Sequence, residues 1–270
     1  MKIAWFFLWI ALASGSNANV KVDESNRYMD KLLQQTFPQR GGVLGGSRLD
    51  GFWIKIDKNS DLRIGKRETL ALHQMRGTSA KSTSTSGGHL PHGDHLTKRY
   101  IRMRKQKQVE VIMGDGTVSD LHGLKRLGDC SPPTWQLNTV VLSCYVSLNG
   151  VTANYRGKIA REKRRGFITT DSHQDEITAE AVMTDAKAFI EVSGAPGGQP
   201  TLSSWSVMPY NLDMSYSDSL NDVYYDLKSK LQKELEKHIK EKLDSFLYSQ
   251  LKCGLETAVR VDPLPMPSRT

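Results

Sequence analysis

The sequence predicts an α+β protein in which an antiparallel β-sheet packs against one long C-terminal α-helix, with a short helix near the N-terminus. Residues 100–209 consist of extended segments separated by turns, a pattern typical of antiparallel sheets. A single apolar stripe then recurs at helical spacing over residues 220–247, which is on the order of seven turns. Strands and helix therefore occupy separate blocks of the chain.

The first residues have the pattern of a secretory signal peptide. Met1 and Lys2 form a short basic start, residues 3–13 an apolar run, and Ser16 to Ala18 a small-residue cleavage pattern. The apolar run is about half of the ~20 residues that a helix needs to cross a bilayer. We therefore expect a signal peptide at residues 1–18, an extracellular protein and no transmembrane segment.

Residues 19–77 are predicted to hold the short helix and a connecting segment. Apolar residues recur at near-helical spacing from Val22 to Phe37, immediately before Pro38. The cluster around Phe52 and Ile54 is typical of a strand. Residues 78–97 are mostly Ser, Thr, Gly and His, which bury too little apolar surface to offset the entropy of ordering, so we expect a loop there.

Residues 98–260 are predicted to form the sheet-and-helix domain. The strongest strand pattern is the alternation around Val140 to Leu148, which separates an apolar from a more polar face. Asn149 and Gly150 then predict a two-residue hairpin turn. The predicted extended segments are 109–113, 117–121, 135–148, 151–160, 177–192 and 201–208.

One helix accounts for the stripe that follows. Ser219 with Asp222 predicts its N-terminal cap and Gly254 its end, while the prolines of residues 261–270 predict a disordered tail. A helix of this length needs equally extended apolar cover, which the sheet can provide, whereas a coiled-coil dimer is the alternative. The stripe consists of Leu220, Tyr224, Leu227, Leu231, Leu235, Ile239, Leu243, Phe246 and Leu247.

Three cysteines, Cys130, Cys144 and Cys253, are expected to meet an oxidising environment. We expect one disulfide and one free thiol, and the sequence leaves the pairing open. No C-x-x-C spacing occurs, so we expect no metal site and no cofactor.

The net charge is +8 with a pI near 9.3, and the sequence contains two basic clusters. For an extracellular protein, such clusters favour sulfated glycans or anionic lipid head groups over nucleic acid. Solvated sheet edges are the alternative, because lysine-rich edges discourage aggregation. The first cluster is Lys98, Arg99, Arg102, Arg104, Lys105 and Lys107, and the second is Lys158, Arg161, Lys163, Arg164 and Arg165 around a predicted hairpin tip.

The motifs of common enzymes do not occur in this sequence. It contains no nucleophile elbow, no His-Glu-x-x-His zinc motif, no phosphate-binding glycine loop and no dinucleotide fingerprint. We therefore expect a protein that binds and does not catalyse.

The stretch from Val118 to Asp129, with its Gly-Leu and Gly-Asp pairs, resembles the signature of the group 7 mite allergens and their arthropod relatives. The elements that follow occur in similar succession: strands around Leu142 and Tyr155, an acidic link with Asp175, a strand ending in Trp205, and a terminal amphipathic helix. The resemblance covers roughly residues 100–260.

That family is similar to the tubular lipid-binding proteins, such as lipopolysaccharide-binding protein and the insect juvenile-hormone carriers. The resemblance implies that a curved sheet wraps the long helix around an apolar groove, and that the protein binds a lipid or another apolar ligand. The alternative is a glycan- or protein-binding effector that uses the basic clusters on a closed scaffold. The expected apolar lining consists of Leu142, Val146, Leu148, Leu227, Leu231, Leu235 and Ile239.

Overall fold

Two antiparallel sheets and a long C-terminal helix form the fold of the computed structural model. It describes residues 21–40, 47–57, 63–65, 108–165, 169–221, 223 and 225–267. The predicted signal peptide, the low-complexity loop and the first basic cluster lie outside this part of the chain. The predicted α+β architecture, with a short N-terminal helix, is confirmed.

Sheet A has eight strands, centred on the long strand β9. The neighbour of β9 on one side is β10 along its full length, followed by β13. On the other side, β5 and β4 pair with successive parts of β9. The sheet then continues from β5 to β1, and from β4 to β2 and β3. The strands are β1 (Ser47–Leu49), β2 (Phe52–Asp57), β3 (Arg63–Gly65), β4 (Gln108–Met113), β5 (Gly116–Ser119), β9 (Thr152–Arg165), β10 (Thr169–Thr184) and β13 (Asn211–Tyr216).

Sheet B has five strands in the order β12, β11, β8 and β6, with β7 also paired to β8. Its inner face contains the alternating apolar residues of β8, and its outer face carries the edge-to-face pair of Tyr145 and Phe189. The strands are β6 (Lys125–Leu127), β7 (Thr134–Gln136), β8 (Thr139–Ser147), β11 (Lys187–Gly194) and β12 (Thr201–Val207).

The chain passes from sheet B to sheet A at Asn149 and Gly150, where the sequence predicts a hairpin turn. That prediction is wrong, because β8 pairs with β6, β7 and β11, and β9 pairs with strands of sheet A. Gly150 has φ +85°, and the Gly150 N–H donates to the Met183 carbonyl at 3.0 Å. The Asn149 Oδ1 accepts from the Ala186 N–H at 2.6 Å. The two residues therefore form a bend that connects two sheets.

A matching bend at Asp185 and Ala186 carries the chain back from sheet A to sheet B. The Leu148 N–H donates to the Ala186 carbonyl at 2.9 Å, and the Met183 N–H donates to the Val151 carbonyl at 2.9 Å. Backbone pairing thus continues through both bends. The predicted segment 177–192 is consequently two strands, β10 and β11. The segment 135–148 also divides, into β7 and β8.

Two helices pack against the sheets. The first helix, α1, occupies residues 21–40 and is π-helical over Leu32–Thr36. The long helix begins with α2 (Tyr225–Phe246), widens into a π-helical turn (Leu247–Leu251) and continues as α3 (Lys252–Val259). At 1.5 Å per residue, this helix is on the order of 50 Å long.

Both predicted ends of the long helix differ from the structure. Gly254 is a buried residue inside α3, so the helix continues past it. Ser219 belongs to a 3₁₀ turn (Asp218–Leu220), and its hydroxyl donates to the Glu176 carbonyl of β10 in place of capping α2. Asp222 lies outside the described residues. Local capping signals were overridden here by contacts with distant parts of the chain.

One apolar core joins the sheets and helices. Helix α2 lies mainly against β1, β2 and β13 of sheet A, whereas α3 lies against β12 of sheet B and against α1. At the π-helical turn, the Trp205 Nε1–H donates to the Leu247 carbonyl at 3.1 Å, in a buried position. This bond ties sheet B to the point where the helix leaves sheet A.

A disulfide joins Cys130 to Cys144, with their Cα atoms 4.4 Å apart, and Cys253 is an exposed free thiol. The prediction of one disulfide and one free cysteine is confirmed. The bridge anchors the segment after β6 to β8. Closing a loop of this size stabilises a folded chain by about 3 kcal/mol in the chain-entropy model.

Residues 261–267 pack against the rest of the chain, although composition predicts disorder for this tail. Leu264 is buried, and the Asp262 carboxylate accepts hydrogen bonds from the Lys31 Nζ at 2.5 Å and from the Thr36 hydroxyl at 2.8 Å. Proline excludes further helix here, but Asp262 before the first proline still docks on α1, and Leu264 packs near Gly194 of β11.

The docking of the tail predicts a pH dependence of stability. The hydrogen bond from Lys31 lowers the pKa of Asp262, and the bond from Thr36 lowers it further against the opposing effect of burial. A depressed folded-state pKa contributes stability above the unfolded value of about 3.9, and this contribution is lost as the pH falls.

We expect Asp262→Asn to cost about 1 kcal/mol at pH 7, since Lys31 is half-exposed and its charge is partly screened. Thermal unfolding from pH 7 to pH 3 should show the wild type and the variant converging below about pH 4. Asp218→Asn, at an exposed carboxylate, is the matched control. A difference between Asp262→Asn and wild type that stays constant with pH would contradict this account.

Candidate functional site

All of the residues predicted to line an apolar site are buried, each at most 1% exposed, and they belong to a single core. The stripe residues Leu227, Leu231, Leu235 and Ile239 lie on α2, which packs on sheet A. The stripe is thus covered by the chain's own sheet, and a coiled-coil dimer is not needed to bury it.

The structure separates these residues into two groups. Leu142 and Val146 lie on β8 of sheet B, and Leu148 follows directly in the bend to sheet A. Sheet B contacts the long helix mainly through α3 and the π-helical turn. The interface between α2 and sheet A is therefore the candidate site, and sheet B closes one end of the core.

The surface of sheet A that faces α2 is apolar across several strands. Alternate residues point inward, so β9 contributes Tyr155 and Ile159 while Asn154, Arg156 and Lys158 are exposed. Strand β2 was predicted from sequence but not placed at the site, because its pairing with β4 spans a distant part of the chain. The buried apolar members from β2, β4, β9 and β10 are Phe52, Ile54, Ile56, Val109, Val111, Met113, Ala153, Tyr155, Ile159, Ile177, Ala179, Ala181 and Met183.

A row of polar residues follows one edge of the stripe, at Glu234, His238 and Lys242. Successive members are four residues apart and therefore lie on one side of the helix. The row runs beside β2, because the His238 ring packs on Phe52 with centroids 5.3 Å apart, and the Lys242 Nζ lies 3.5 Å from a carboxylate oxygen of Asp50. Sequence analysis missed this row, since charged residues beside a stripe normally belong to the solvated face.

Two buried atoms of this polar row have no hydrogen-bond partner in the part of the chain that the structure describes. They are the Glu234 Oε2 and the His238 Nε2. The other His238 nitrogen, Nδ1, lies 3.4 Å from the Glu241 Oε2. Buried polar atoms are nearly always hydrogen-bonded in folded proteins. Two unpaired polar atoms on one side of a helix therefore distinguish this edge of the interface.

Tyrosine hydroxyls hydrogen-bond at both edges of the interface. The Tyr155 hydroxyl reaches the Asp50 carbonyl at 3.5 Å, and its ring packs edge-on against Phe52. Burial raises the pKa of Tyr155 above its usual range, and the carboxylates of Asp50 and Asp115 raise it further. On the β13 side, the Tyr216 hydroxyl donates to the Gln232 carbonyl at 3.3 Å. Burial likewise raises the pKa of Tyr216. Both side chains therefore stay neutral at physiological pH.

A groove of about 670 Å³ is bordered by β5, β9, β10 and β13 of sheet A, mainly by residues that point away from the core. Its lining is mainly hydroxyl, amide and charged side chains from the outward positions of β5, β9, β10 and β13. None of the predicted apolar lining residues contributes to it. The residues around the groove are Asp115, Thr117, Asn154, Tyr155, Arg156, Thr178, Ala179, Glu180, Ser215, Tyr216 and Ser217.

The two basic clusters differ in how much of them the described residues include. Lys98, Arg99, Arg102, Arg104, Lys105 and Lys107 lie outside the described residues. Lys158 is exposed on β9, and Arg161, Lys163, Arg164 and Arg165 occupy the last positions of that strand, in register with residues 169–173 of β10. The β9–β10 hairpin is therefore confirmed, while a binding role for its basic residues stays a prediction.

Within the described ranges, no helix is both long and apolar enough to cross a membrane. The same ranges hold no group of three or more His, Cys, Asp or Glu side chains placed to bind a metal ion.

The buried position of Leu231 leads to a mutational prediction. Leu231→Lys would bury an unpaired charge between α2 and sheet A, at a cost of several kcal/mol, and we expect the protein to misfold. Leu231→Ala should lower the free energy of unfolding by about 2 to 5 kcal/mol. Lys230→Ala, on the exposed side of α2, is the control. A folded Leu231→Lys monomer with normal sheet content by circular dichroism would show instead that the stripe faces a second chain.

The chain matches no protein-family model and no curated protein sequence. It is similar to the crystal structure of lipopolysaccharide binding protein, with 18% identity over 55% of this chain and 32% of that chain, at a TM-score of 0.27. It is also similar to Takeout 1 of Epiphyas postvittana, with 12% identity over 54% of this chain and 72% of that chain, at a TM-score of 0.23. The chain thus spans about a third of the length of lipopolysaccharide binding protein. Neither similarity, at such TM-scores, establishes a shared function, and the resemblance to the group 7 mite allergens stays a prediction.

Proposed function

We propose that this chain is a secreted protein that binds a lipid or another apolar molecule between sheet A and α2, without catalysing a reaction. The observation that carries the proposal is the extended apolar interface between the helix stripe and the inner face of β2, β4, β9 and β10. Hydrocarbon on both sides of a long interface suits a long, flexible apolar ligand better than a compact polar one.

The energetics set the size of such a ligand. Micromolar binding requires a net free energy of about 8 kcal/mol, and association itself costs at least about 4 kcal/mol. At about 0.8 kcal/mol per buried methylene, about fifteen methylene groups supply the sum. The interface is closed in the described structure, so a ligand has to separate α2 from the sheet, and this opening lowers the apparent affinity.

Secretion is part of the proposal. The Cys130–Cys144 disulfide supports it, because structural disulfides persist mainly in oxidising compartments. The sequence of residues 1–18 supports it through its signal-peptide pattern.

Protein secreted from eukaryotic cells provides the test. We expect native mass spectrometry to detect a co-purified lipid, and the delipidated protein to melt about 5 to 10 °C higher with a ligand at 100 times its Kd. Leu235→Phe adds volume inside the interface and should reduce this shift, whereas Lys237→Phe, on the exposed side of α2, should not. Absence of any shift across a broad panel of lipids and isoprenoids would refute the proposal.

A second candidate function is binding of a sulfated glycan or another anionic partner by the outward basic residues of β9. The exposed side chains of Arg156 and Lys158 favour it, since two neighbouring positive charges on one face of a strand attract an anion. The adjoining groove contributes several hydroxyl groups, but also the carboxylates of Asp115 and Glu180.

This candidate predicts salt-sensitive retention on heparin, with Arg156→Ala and Lys158→Ala together lowering the eluting salt concentration. Lys237→Ala removes one charge at a distant exposed position and serves as the control. Equal elution of all three proteins would exclude this part of β9 as an anion site.

A further inference from the structure

The geometry points to a hydrogen-bond donor on the apolar ligand: we infer that the ligand carries a hydroxyl or amino group, which Glu234 and His238 bind at the edge of α2 beside β2. This inference rests on the proposed function and specifies the class of ligand. Long-chain alcohols, sterol-like alcohols and long-chain amines fit the site, and fatty acids do not.

The position of the two side chains supports a single binding point. Glu234 and His238 are four residues apart, so their Cβ atoms lie about 5 to 6 Å apart on one side of the helix. His238 is 8% exposed, and its ring rests on Phe52, which belongs to the inner face of sheet A. The polar pair thus borders directly on the apolar interface, as a head-group site has to do.

Among the described residues, two buried polar atoms of this row lack a hydrogen-bond partner. Lys242 pairs with Asp50, and the His238 Nδ1 lies 3.4 Å from the Glu241 Oε2. The Glu234 Oε2 and the His238 Nε2 are left without partners among the described residues. Two further unpaired hydroxyls, on Ser25 and Tyr28, lie on α1, which packs with α3 and sheet B. The unpaired atoms of Glu234 and His238 on α2 are therefore the ones that adjoin the proposed ligand.

The chemistry of the two atoms selects the ligand group. A carboxylate oxygen accepts hydrogen bonds. The His238 Nδ1 lies beside the Glu241 carboxylate, and a neutral imidazole that carries its proton on Nδ1 presents its Nε2 as an acceptor as well. Two neighbouring acceptors require a donor, which an amino group supplies to both and a hydroxyl to one. A ligand carboxylate has no proton to donate at neutral pH and is repelled by Glu234.

The test compares ligands with one tail and different head groups. Tetradecylamine, tetradecanol, tetradecanoate and the hydrocarbon tetradecane would each displace a neutral fluorescent probe, N-phenyl-1-naphthylamine, from the delipidated protein. We expect the amine and the alcohol to bind about tenfold more tightly than the other two, the difference made by one hydrogen bond to a charged group.

The double variant Glu234→Leu, His238→Phe removes both acceptors, so we expect all four ligands to bind it within about threefold of one another. Glu236→Gln, on the exposed side of α2, is the control and should keep the wild-type preference. The preference among head groups is the readout, so a change in overall stability does not affect the conclusion. Thermal unfolding of each variant confirms that it is folded.

Three results would overturn the inference. Equal binding of the four ligands, or tighter binding of tetradecanoate, would leave an apolar site without this head-group specificity. A preference that survives in the double variant would place the donor contact elsewhere. Failure of every ligand to displace the probe would reject the proposed function together with the inference.

Discussion

The buried face of the long helix imposes the main constraint on this fold. Apolar side chains along its whole length must be removed from water, and only an equally extended apolar surface can cover them. The sheets provide this surface because backbone pairing continues through the bends at Asn149 and Asp185, so that sheets A and B share two long stretches of chain. The π-helical turn and the Trp205 bond to it lie where the helix passes from one sheet to the other.

The elements whose signals are periodic were predictable from sequence. A stripe that repeats over many turns leaves little choice of structure, so α2 and the burial of Leu231 or Ile239 followed from spacing alone. The hairpin prediction at Asn149 and Gly150 was wrong because a glycine with positive φ fits a bend between sheets as well as a hairpin turn. The difference lies in the partners Met183 and Ala186, which are distant in sequence.

The candidate site was predictable on its helix side and only partly on its sheet side. Strand β2 was recognised as a strand, yet nothing in its own residues indicates that it pairs with β4 and faces α2. Glu234 and His238 were missed for a related reason. Polar side chains at the border of a stripe are normally solvated, and only the packing of Phe52 on His238 reveals their burial. The position of each strand in space depends on its pairing with residues distant in sequence. A local sequence pattern does not contain this information.

The spacing of the buried leucines has a geometric consequence for the shape of the protein. From Leu227 to Val259 every fourth residue is buried, and each four-residue step advances the buried face by about 40° around an ideal α-helix. The apolar face therefore winds about the helix axis, opposite in sense to the 3.5-residue seam of a two-stranded coiled coil. A straight partner would lose contact with it after a few turns. Two surfaces set at an angle can follow the winding, which explains why one helix here needs two sheets. The residues of the winding face are Leu227, Leu231, Leu235, Ile239, Leu243, Leu247, Leu251, Leu255 and Val259.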